Sequence, residues 1–295
     1  MRTRIAALIT AVLMAAVVGA CGSGNPLAGG GAAGTVVVGS ANFPESELLM
    51  EIYAAALREA GAQVQTRPRL RPREITNRAL ADGSITVMPE YTGNLLHFLD
   101  PASTATTADD VYAALRKALP STLQVLQQST AEDSDVLVVT QQTSASLGLT
   151  SMAALAPHCP QLTLGAASEW PARWKGKIAS VYGCTFRQIL STDAGGPVTL
   201  EALRSGQAQV VNLFTTSPDI AANHWVELAD PQHMYPAQRV VALVRAGVVN
   251  QAGIDALNKV SAALTTAKLT ELDRRITQDR AVPADLAKDF VNGLR

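Results

Sequence analysis

The segment Ile85-Thr-Val-Met-Pro-Glu-Tyr-Thr-Gly-Asn94 predicts a buried strand that ends in residues suited to ligand binding. It begins with apolar and β-branched residues, a turn-forming Asp-Gly-Ser precedes it, and Pro89 is expected to end the strand. Tyr91 and Thr92 follow, and Gly93 permits a close approach of the backbone. Ligands bind outside the carboxyl ends of strands in open α/β sheets. We therefore expect Tyr91 and Thr92 to border a binding cleft.

A second segment repeats this pattern further along the chain. A leucine, a glycine, an aromatic residue and a threonine occupy positions 80, 83, 91 and 92, and the same kinds of residue occupy positions 203, 206, 214 and 215. The second aromatic residue is Phe214 and the second threonine is Thr215. Two such units predict two related lobes that present equivalent residues to one cleft. Chance similarity between two helix–strand units is the alternative.

Predicted strands and helices alternate along the rest of the chain. Apolar and β-branched runs predict strands at 35–38, 64–70, 136–140, 162–164, 226–228 and 240–244. Apolar residues at helical spacing predict helices at 44–61, 74–81, 108–119 and 151–156, around 186–190 and 200–203, and at 254–268, 268–278 and 283–293. This alternation is typical of an α/β fold with parallel sheets.

The repeated unit and the strand pattern together predict a two-lobed clamshell with a ligand cleft between the lobes. Lobe 1 is expected to comprise residues 35–135 and 240–295, and lobe 2 residues 136–239. The crossings between them are expected near Asp135 and at Gln238–Arg239. The loop after the first strand carries Asn42, which we expect to border the same cleft, unless its side chain closes a turn.

Residues 1–20 have the features of an export leader, or signal peptide. Arg2 and Arg4 supply positive charge, residues 5–18 are apolar, and Val18-Gly-Ala-Cys21 places small residues before a cysteine. The last segment resembles the lipobox of bacterial lipoproteins, which implies cleavage before Cys21 and a palmitate-bearing diacylglycerol on its sulfur. An ordinary secretory leader is the alternative. The Gly- and Ala-rich segment 21–34 is expected to be a lipidated tether.

The sulfur-bearing and titratable residues limit the chemistry that the chain can perform. Cys159 and Cys184 remain after Cys21 is assigned to lipid, and two cysteines in an exported chain favour a disulfide over free thiols. The four histidines show no metal-ligand spacing, so we expect no metal site. A net charge of −1 and scattered arginines exclude the basic surface typical of nucleic-acid binding.

Four short motifs lie in register along the chain that follows the leader. They are Gly39-Ser-Ala-Asn-Phe-Pro-Glu-Ser46, Arg73-Glu74, Pro89-Glu-Tyr-Thr-Gly93 and Phe214-Thr-Thr216. Together they resemble the substrate-binding proteins of osmoprotectant ABC importers, the glycine betaine/carnitine/choline/proline (ProX/OpuC-like) group, and the resemblance extends over about residues 36–292.

This resemblance implies a type II periplasmic-binding-protein-like fold. The expected function is capture of a small quaternary ammonium or zwitterionic solute at the extracytoplasmic face of the plasma membrane. Delivery to an ABC permease and its ATPase would follow. Neither catalysis nor a cofactor is implied, and a monomer is the expected state.

The resemblance also assigns roles to individual residues. Proteins of this group hold a trimethylammonium head in an aromatic box by cation–π attraction. Tyr91 matches one wall of that box, Thr92 a nearby hydroxyl, and Phe214 a second aromatic residue. Arg173 aligns with the arginine that binds the ligand carboxylate, a role for which bidentate pairing suits arginine.

Three positions depart from the pattern of the group. Ala41 stands where many members carry a lysine, and Asp135 stands where they carry an aromatic residue. Gln238 falls where a tyrosine would complete the box, although Tyr235 is close in sequence. A box reduced in this way is expected to hold a quaternary ammonium less tightly, and Asp135 offers direct attraction to a cation instead.

Three other interpretations stay open from the sequence. The cleft could be retuned to another small polar or aromatic ligand, or the chain could be a sensor lipoprotein without a transport role. An exported hydrolase or transferase is the third, although the chain has no Gly-x-Ser-x-Gly, Ser-x-x-Lys or His-Glu-x-x-His motif.

Overall fold

The computed structural model describes residues 34–70 and 73–294. Its strands are β1 (Thr35–Ala41), β2 (Gln63–Leu70), β3 (Val87–Tyr91), β4 (Leu123–Val125), β5 (Asp135–Val139), β6 (Thr163–Ala167), β7 (Gln188–Thr192), β8 (Val210–Phe214), β9 (Val226–Glu227) and β10 (Val240–Arg245). The predicted leader, Cys21 and the tether up to residue 33 lie outside the described residues.

The helices of the described residues flank these strands. They are α1 (Pro44–Glu59), α2 (Arg73–Asp82), α3 (Thr92–Leu99), α4 (Ala108–Ala118), α5 (Gln141–Leu147), α6 (Met152–Leu155), α7 (Gly176–Tyr182), α8 (Pro197–Arg204), α9 (Pro218–Ala222), α10 (Gln251–Ala263), α11 (Thr266–Thr277) and α12 (Pro283–Asn292). A 3₁₀ helix spans Ala156–Gln161, and a π-helical turn spans Pro171–Lys175.

The strands form two five-stranded sheets, of order β2-β1-β3-β10-β4 and β7-β6-β8-β5-β9. In the first sheet β1 is parallel to β2 and β3, whereas β10 is antiparallel to β3 and β4. In the second sheet β6 is parallel to β7 and β8, whereas β5 is antiparallel to β8 and β9. The predicted α/β class is confirmed, but each sheet is mixed rather than parallel.

Two segments connect the sheets. The chain leaves the first sheet after β4 and enters the second at β5, so residues 126–134 form the first connection. It returns between β9 and β10, so residues 228–239 form the second connection. The antiparallel strands β5 and β10 lie directly next to these connections.

Strand β3 continues past the residue that was expected to end it. Pro89 lies within β3, opposite Ala242 of β10. Backbone bonds from Thr92 N to Arg239 O and from Arg245 N to Thr86 O flank β3, and with the register they make Pro89 and Ala242 a pair without direct hydrogen bonds. The missing N–H of Pro89 therefore points toward β1, whose described pairing with β3 is at Val87. The ladder between β3 and β10 therefore loses no hydrogen bond at Pro89.

Two helix predictions are corrected by the structure. The expected helix around 186–190 is wrong, because β7 occupies this region and pairs with β6 as an edge strand. Parallel hydrogen bonds to β6 outweigh the local helical spacing. The two helices expected to meet at Lys268 instead break at Leu264 and Thr265, where Thr265 Oγ1 caps α11 by accepting from the Lys268 N–H at 3.2 Å.

Helix α1 shows how the sequence pattern builds the core. Pro44 begins it, and the predicted stripe of Leu49, Tyr53 and Leu57 is buried against β1 and the C-terminal helices. Because α1 begins where β1 ends, its first turn lies at the carboxyl edge of the first sheet, and it places Glu45 there. Among the described residues, no helix combines the length and the apolar character needed to cross a membrane.

Candidate ligand-binding cleft

The carboxyl ends of parallel strands from both sheets lie beside the two connections. β3 ends next to the second connection, where Thr92 N donates to Arg239 O at 3.1 Å. β8 ends next to the first connection, where Thr215 N donates to Ser134 O at 3.0 Å. Ligands bind at such strand ends, so the space between these two edges is the candidate cleft.

Thr92 and Gln238 hold the second connection against β3 and α3. Thr92 is fully buried, and its Oγ1 donates to Ala237 O at 3.3 Å and accepts from the Arg239 N–H at 3.1 Å. Gln238 is also buried, and its Oε1 accepts from the Asn94 N–H at 2.8 Å. Both residues were predicted to bind ligand, and in this structure the Thr92 hydroxyl and the Gln238 Oε1 are hydrogen-bonded to protein backbone.

Thr215 holds the first connection in the same way. Its Oγ1 donates to Glu132 O at 2.8 Å and accepts from the Ser134 N–H at 3.0 Å. The repeated aromatic–threonine pair therefore has a structural explanation in both sheets. Each threonine fixes the segment through which the chain passes from one lobe to the other.

Tyr91 lies at the cleft edge but is largely covered. Its side chain is 6% exposed, its hydroxyl donates to the Glu45 carboxylate, and its ring centroid lies 6.0 Å from that of Phe43. Phe43 is 40% exposed and lines a cavity of about 70 Å³ together with Tyr91. Phe43 therefore presents a more accessible aromatic face at this edge than Tyr91 does.

Three carboxyl groups meet beside Tyr91. Glu45 is hydrogen-bonded to Asp273 of α11, and Thr216 bonds Glu45 as well as Asp133, the latter at 2.8 Å. Burial, together with the nearby Asp273 charge, raises the pKa of Glu45 well above its ordinary value. Burial raises the pKa of Asp273 to about 7 and raises that of Asp133. This carboxyl cluster joins α1 and α11 of the first sheet to the first connection and to the end of β8.

Asp135 begins β5 and belongs to a buried polar network in the second sheet. Asn212 Nδ2 donates to Asp135 Oδ1 at 2.9 Å, and Asn212 Oδ1 accepts from Trp170 Nε1 at 3.0 Å and from the Tyr235 hydroxyl at 3.2 Å. Burial raises the pKa of Asp135, and the bond from Asn212 and the charge of Arg173 oppose this rise. Trp170 and Tyr235 are thus held at the cleft edge beside a carboxyl group.

Arg173 reaches across the cleft to the first lobe. Its Nη2 donates to Asn94 Oδ1 of α3 at 3.0 Å, and its guanidinium lies 4.9 Å from the centroid of the Trp174 ring. The Trp174 ring meets Tyr235 edge-on at 5.0 Å. Arg173, Trp174 and Asn94 line a cavity of about 360 Å³ formed by residues of both lobes. That volume is within the range of small-molecule sites.

Two further predicted residues lie at the rims of the cleft. Phe214, the last residue of β8, pairs in register with Asp135 and is partly exposed. A Cβ built on Gly195 would lie 3.4 Å from the Phe214 ring, so the loop after β7 packs against it. Asn42 is half-buried between β1 and α1.

The structure thus separates six of the eight predicted ligand residues into two groups and leaves Asn42 and Tyr91 at the edge of the first sheet. Asp135, Arg173 and Phe214 gather at the edge of the second sheet, whereas Thr92, Thr215 and Gln238 secure the connections. Sequence reasoning missed the cavity residues Asn94, Trp174 and Lys177. Trp174 follows Arg173 and Asn94 lies two residues after Thr92, so closeness in sequence to these predicted residues could have identified both. No feature of the sequence identified Asp273, because helical spacing cannot show that α11 reaches Glu45.

Cys159 and Cys184 are joined by a disulfide, with Cα atoms 5.5 Å apart. The bridge ties the 3₁₀ helix after α6 to the end of α7. It lies in the apolar core that also contains Trp170 and Trp174. The disulfide therefore supports the segment that carries Arg173.

Two α/β lobes, two connections and a cavity between the strand ends define a two-lobed solute-binding protein of the periplasmic type. A family model described as the substrate-binding domain of an ABC-type glycine betaine transport system matches residues 34–293. The chain belongs to this family. The chain is therefore the substrate-binding component of an ABC transporter, and the extracytoplasmic location expected from the sequence agrees with this assignment.

Known proteins resemble this chain in sequence and in fold. The glycine betaine-binding protein YehZ of Escherichia coli (strain K12) is 25% identical over 276 residues, which cover 88% of this chain and 90% of that protein. A crystal structure of a glycine betaine/carnitine/choline ABC transporter has a TM-score of 0.79 at 18% identity and covers 88% of this chain and 98% of its own. Apo YehZ from Escherichia coli has a TM-score of 0.71 at 23% identity, with the same coverage of both chains.

Proposed function

We propose that the protein captures a small osmoprotectant-like solute, quaternary ammonium or zwitterionic, and delivers it to the permease of an ABC importer. The contact between Arg173 and Asn94 carries this proposal, because it closes a small-molecule-sized cavity with groups from both lobes. Family membership supports the class of ligand, and YehZ is named for binding glycine betaine.

In this proposal lobe 1 comprises residues 35–135 and 240–295, and lobe 2 comprises residues 136–239. Ligand contacts come from Arg173, which lines the cavity, and from Tyr91, Asp135 and Phe214 at the neighbouring sheet edges, with Asn42 at the rim. Thr92, Thr215 and Gln238 contribute by holding the connections about which the lobes move. The ligand shifts the population toward the closed form because it binds that form better.

The protein is proposed to be lipid-anchored through Cys21 and to act as a monomer beside the permease and ATPase. The apolar leader and the small residues before Cys21 support this arrangement. The half-buried Asp135 favours a second candidate ligand, a cation with N–H donors, since a carboxylate accepts hydrogen bonds that trimethylammonium cannot donate.

A thermal-shift panel tests the proposed function. Glycine betaine, carnitine, choline, proline and ectoine are added to the purified protein at increasing concentration. A ligand at 100 times its Kd stabilises the folded state by about 2.7 kcal/mol. A betaine-dependent shift that Tyr91→Ala or Arg173→Ala reduces is the expected result. No shift with any of these solutes would refute osmoprotectant binding.

Small-angle scattering tests closure separately. The radius of gyration should fall when a solute from the panel that binds is added at saturation. An unchanged radius would mean that this protein binds without a hinge motion.

A further inference from the structure

The cavity between the lobes has basic side chains in its lining. Its lining includes Arg173 and Lys177 from the second lobe and His97 from α3 of the first. Among the described residues that line it, none is an aspartate or a glutamate. The remaining polar groups are hydroxyls and the amide of Asn94. The cavity lining thus offers cations and hydrogen-bond donors and no carboxylate, and the charges of Asp135 and Asp230 act on Arg173 and Lys177 from outside the lining.

Arg173 and Lys177 share one aromatic surface. The Arg173 guanidinium lies 4.9 Å and the Lys177 ammonium 5.4 Å from the centroid of the Trp174 ring. They are four residues apart where the π-helical turn runs into α7, so both side chains extend along the same side. Trp174 is itself fixed by Tyr235, whose ring it meets edge-on at 5.0 Å. The two cations are therefore held on a rigid platform.

The Lys177 ammonium has unused hydrogen-bonding capacity. Among the described residues, none accepts a hydrogen bond or forms an ion pair with it within contact distance. Burial lowers the pKa of Lys177, and the charge of Asp230 opposes that shift. Asp230 is already engaged, because Tyr182 donates to one of its oxygens and the Tyr235 N–H donates to the other at 2.9 Å. A partly desolvated cation without an acceptor is suited to an incoming anion.

We propose that Lys177 is a specificity-determining residue that, with Arg173 on the face of Trp174, binds the carboxylate of the solute and makes the protein select carboxylate-bearing zwitterions over choline-like cations. This inference rests on the proposed function and narrows its ligand class. A hydroxyl, as in choline, brings no negative charge to the two cations, whereas a carboxylate accepts hydrogen bonds from both. Arg173 has two ways to bind the carboxylate. It either gives up its hydrogen bond to Asn94, or it keeps Nη2 on Asn94 and donates to the carboxylate from its other nitrogens.

Glycine betaine and choline are the matched probes, because they share the trimethylammonium group and differ in the carboxylate. Isothermal titration calorimetry measures both Kd values for the purified protein and for Lys177→Met, Lys177→Arg and Lys175→Met. Methionine keeps the length of the side chain and its packing on the indole while removing the charge. Lys175 is exposed on the same turn and does not line this cavity, so its variant is the control.

The wild-type protein should bind glycine betaine more tightly than choline. Lys177→Met should weaken glycine betaine binding about tenfold, the effect of one charge-assisted hydrogen bond, and leave choline binding unchanged. Lys177→Arg should restore the preference, and Lys175→Met should keep it.

A wild-type preference for choline, or an equal loss of both ligands in Lys177→Met, would overturn the role of Lys177 while leaving osmoprotectant binding intact. Binding of neither probe, together with no response to the other solutes of the thermal-shift panel, would refute the proposed function and the inference with it.

Discussion

Asp273→Asn is expected to stabilise the protein at alkaline pH. Asp273 is 8% exposed on α11, and it is hydrogen-bonded to Glu45, a second buried carboxyl group. No basic side chain is among the groups that act on the pKa of Asp273: the hydrogen bond with Glu45 lowers this pKa, and the charge of Asp133 raises it. Ionising Asp273 therefore places a negative charge where the surroundings offer it little compensation.

The magnitude follows from the pKa of Asp273, which burial raises from 3.8 to about 7. Between these pH values the folded protein keeps a proton that the unfolded chain has released. The contribution of Asp273 to stability is therefore fully present below pH 3.8 and is lost as the pH rises through about 7. One pKa unit corresponds to about 1.4 kcal/mol, so a shift of about three units sets an upper limit of about 4 kcal/mol.

The amide of Asp273→Asn removes this ionisation and weakens one hydrogen bond, which costs about 1 kcal/mol. A net gain of about 1–3 kcal/mol at pH 8.5 is expected, equivalent to a rise in Tm of about 2–10 °C. Calorimetry of wild type and variant from pH 4.5 to pH 8.5 measures it, with Asp255→Asn, an exposed site on α10, as the control. A stability difference that is constant across this range, or that shrinks as the pH rises, would refute the reasoning.

Two backbone and crosslink predictions complete the set. Gly93→Ala should destabilise the folded protein by about 1–3 kcal/mol, because the added Cβ would lie 2.6 Å from Ala237 O. The control Gly176→Ala should be neutral or stabilising, because a Cβ there meets nothing within 4 Å. If chemical denaturation ranks the two variants otherwise, the packing at the second connection is contradicted. Replacing Cys159 and Cys184 together by alanine should cost about 3 kcal/mol, from a closed loop of 25 residues, and lower Tm; an unchanged Tm would mean that the bridge adds no stability.

The local pattern of the sequence was sufficient for the elements that pack by their own periodicity. The stripe of Leu49, Tyr53 and Leu57 predicted α1, and its burial confirms it. The region 186–190 was not predictable in this way, because β7 owes its strand conformation to hydrogen bonds with β6. The prediction that Pro89 ends the strand was wrong for a related reason. A strand tolerates proline when the missing N–H faces away from the neighbour with which it forms hydrogen bonds, and the sequence does not show which neighbour that is.

For the site, the sequence by itself determined which residues stand at strand ends, because strand ends follow from short-range pattern and turn residues. It thereby selected Tyr91, whereas Asp135 and Arg173 were selected through the resemblance to the osmoprotectant-binding group. Only the tertiary structure decided what each of them touches. Tyr91 is covered by Glu45, and Arg173 meets Asn94, because long-range packing brings side chains together that are far apart in the chain. Charge and desolvation at the cleft depend on these contacts, so the chemistry of the site is a property of the fold.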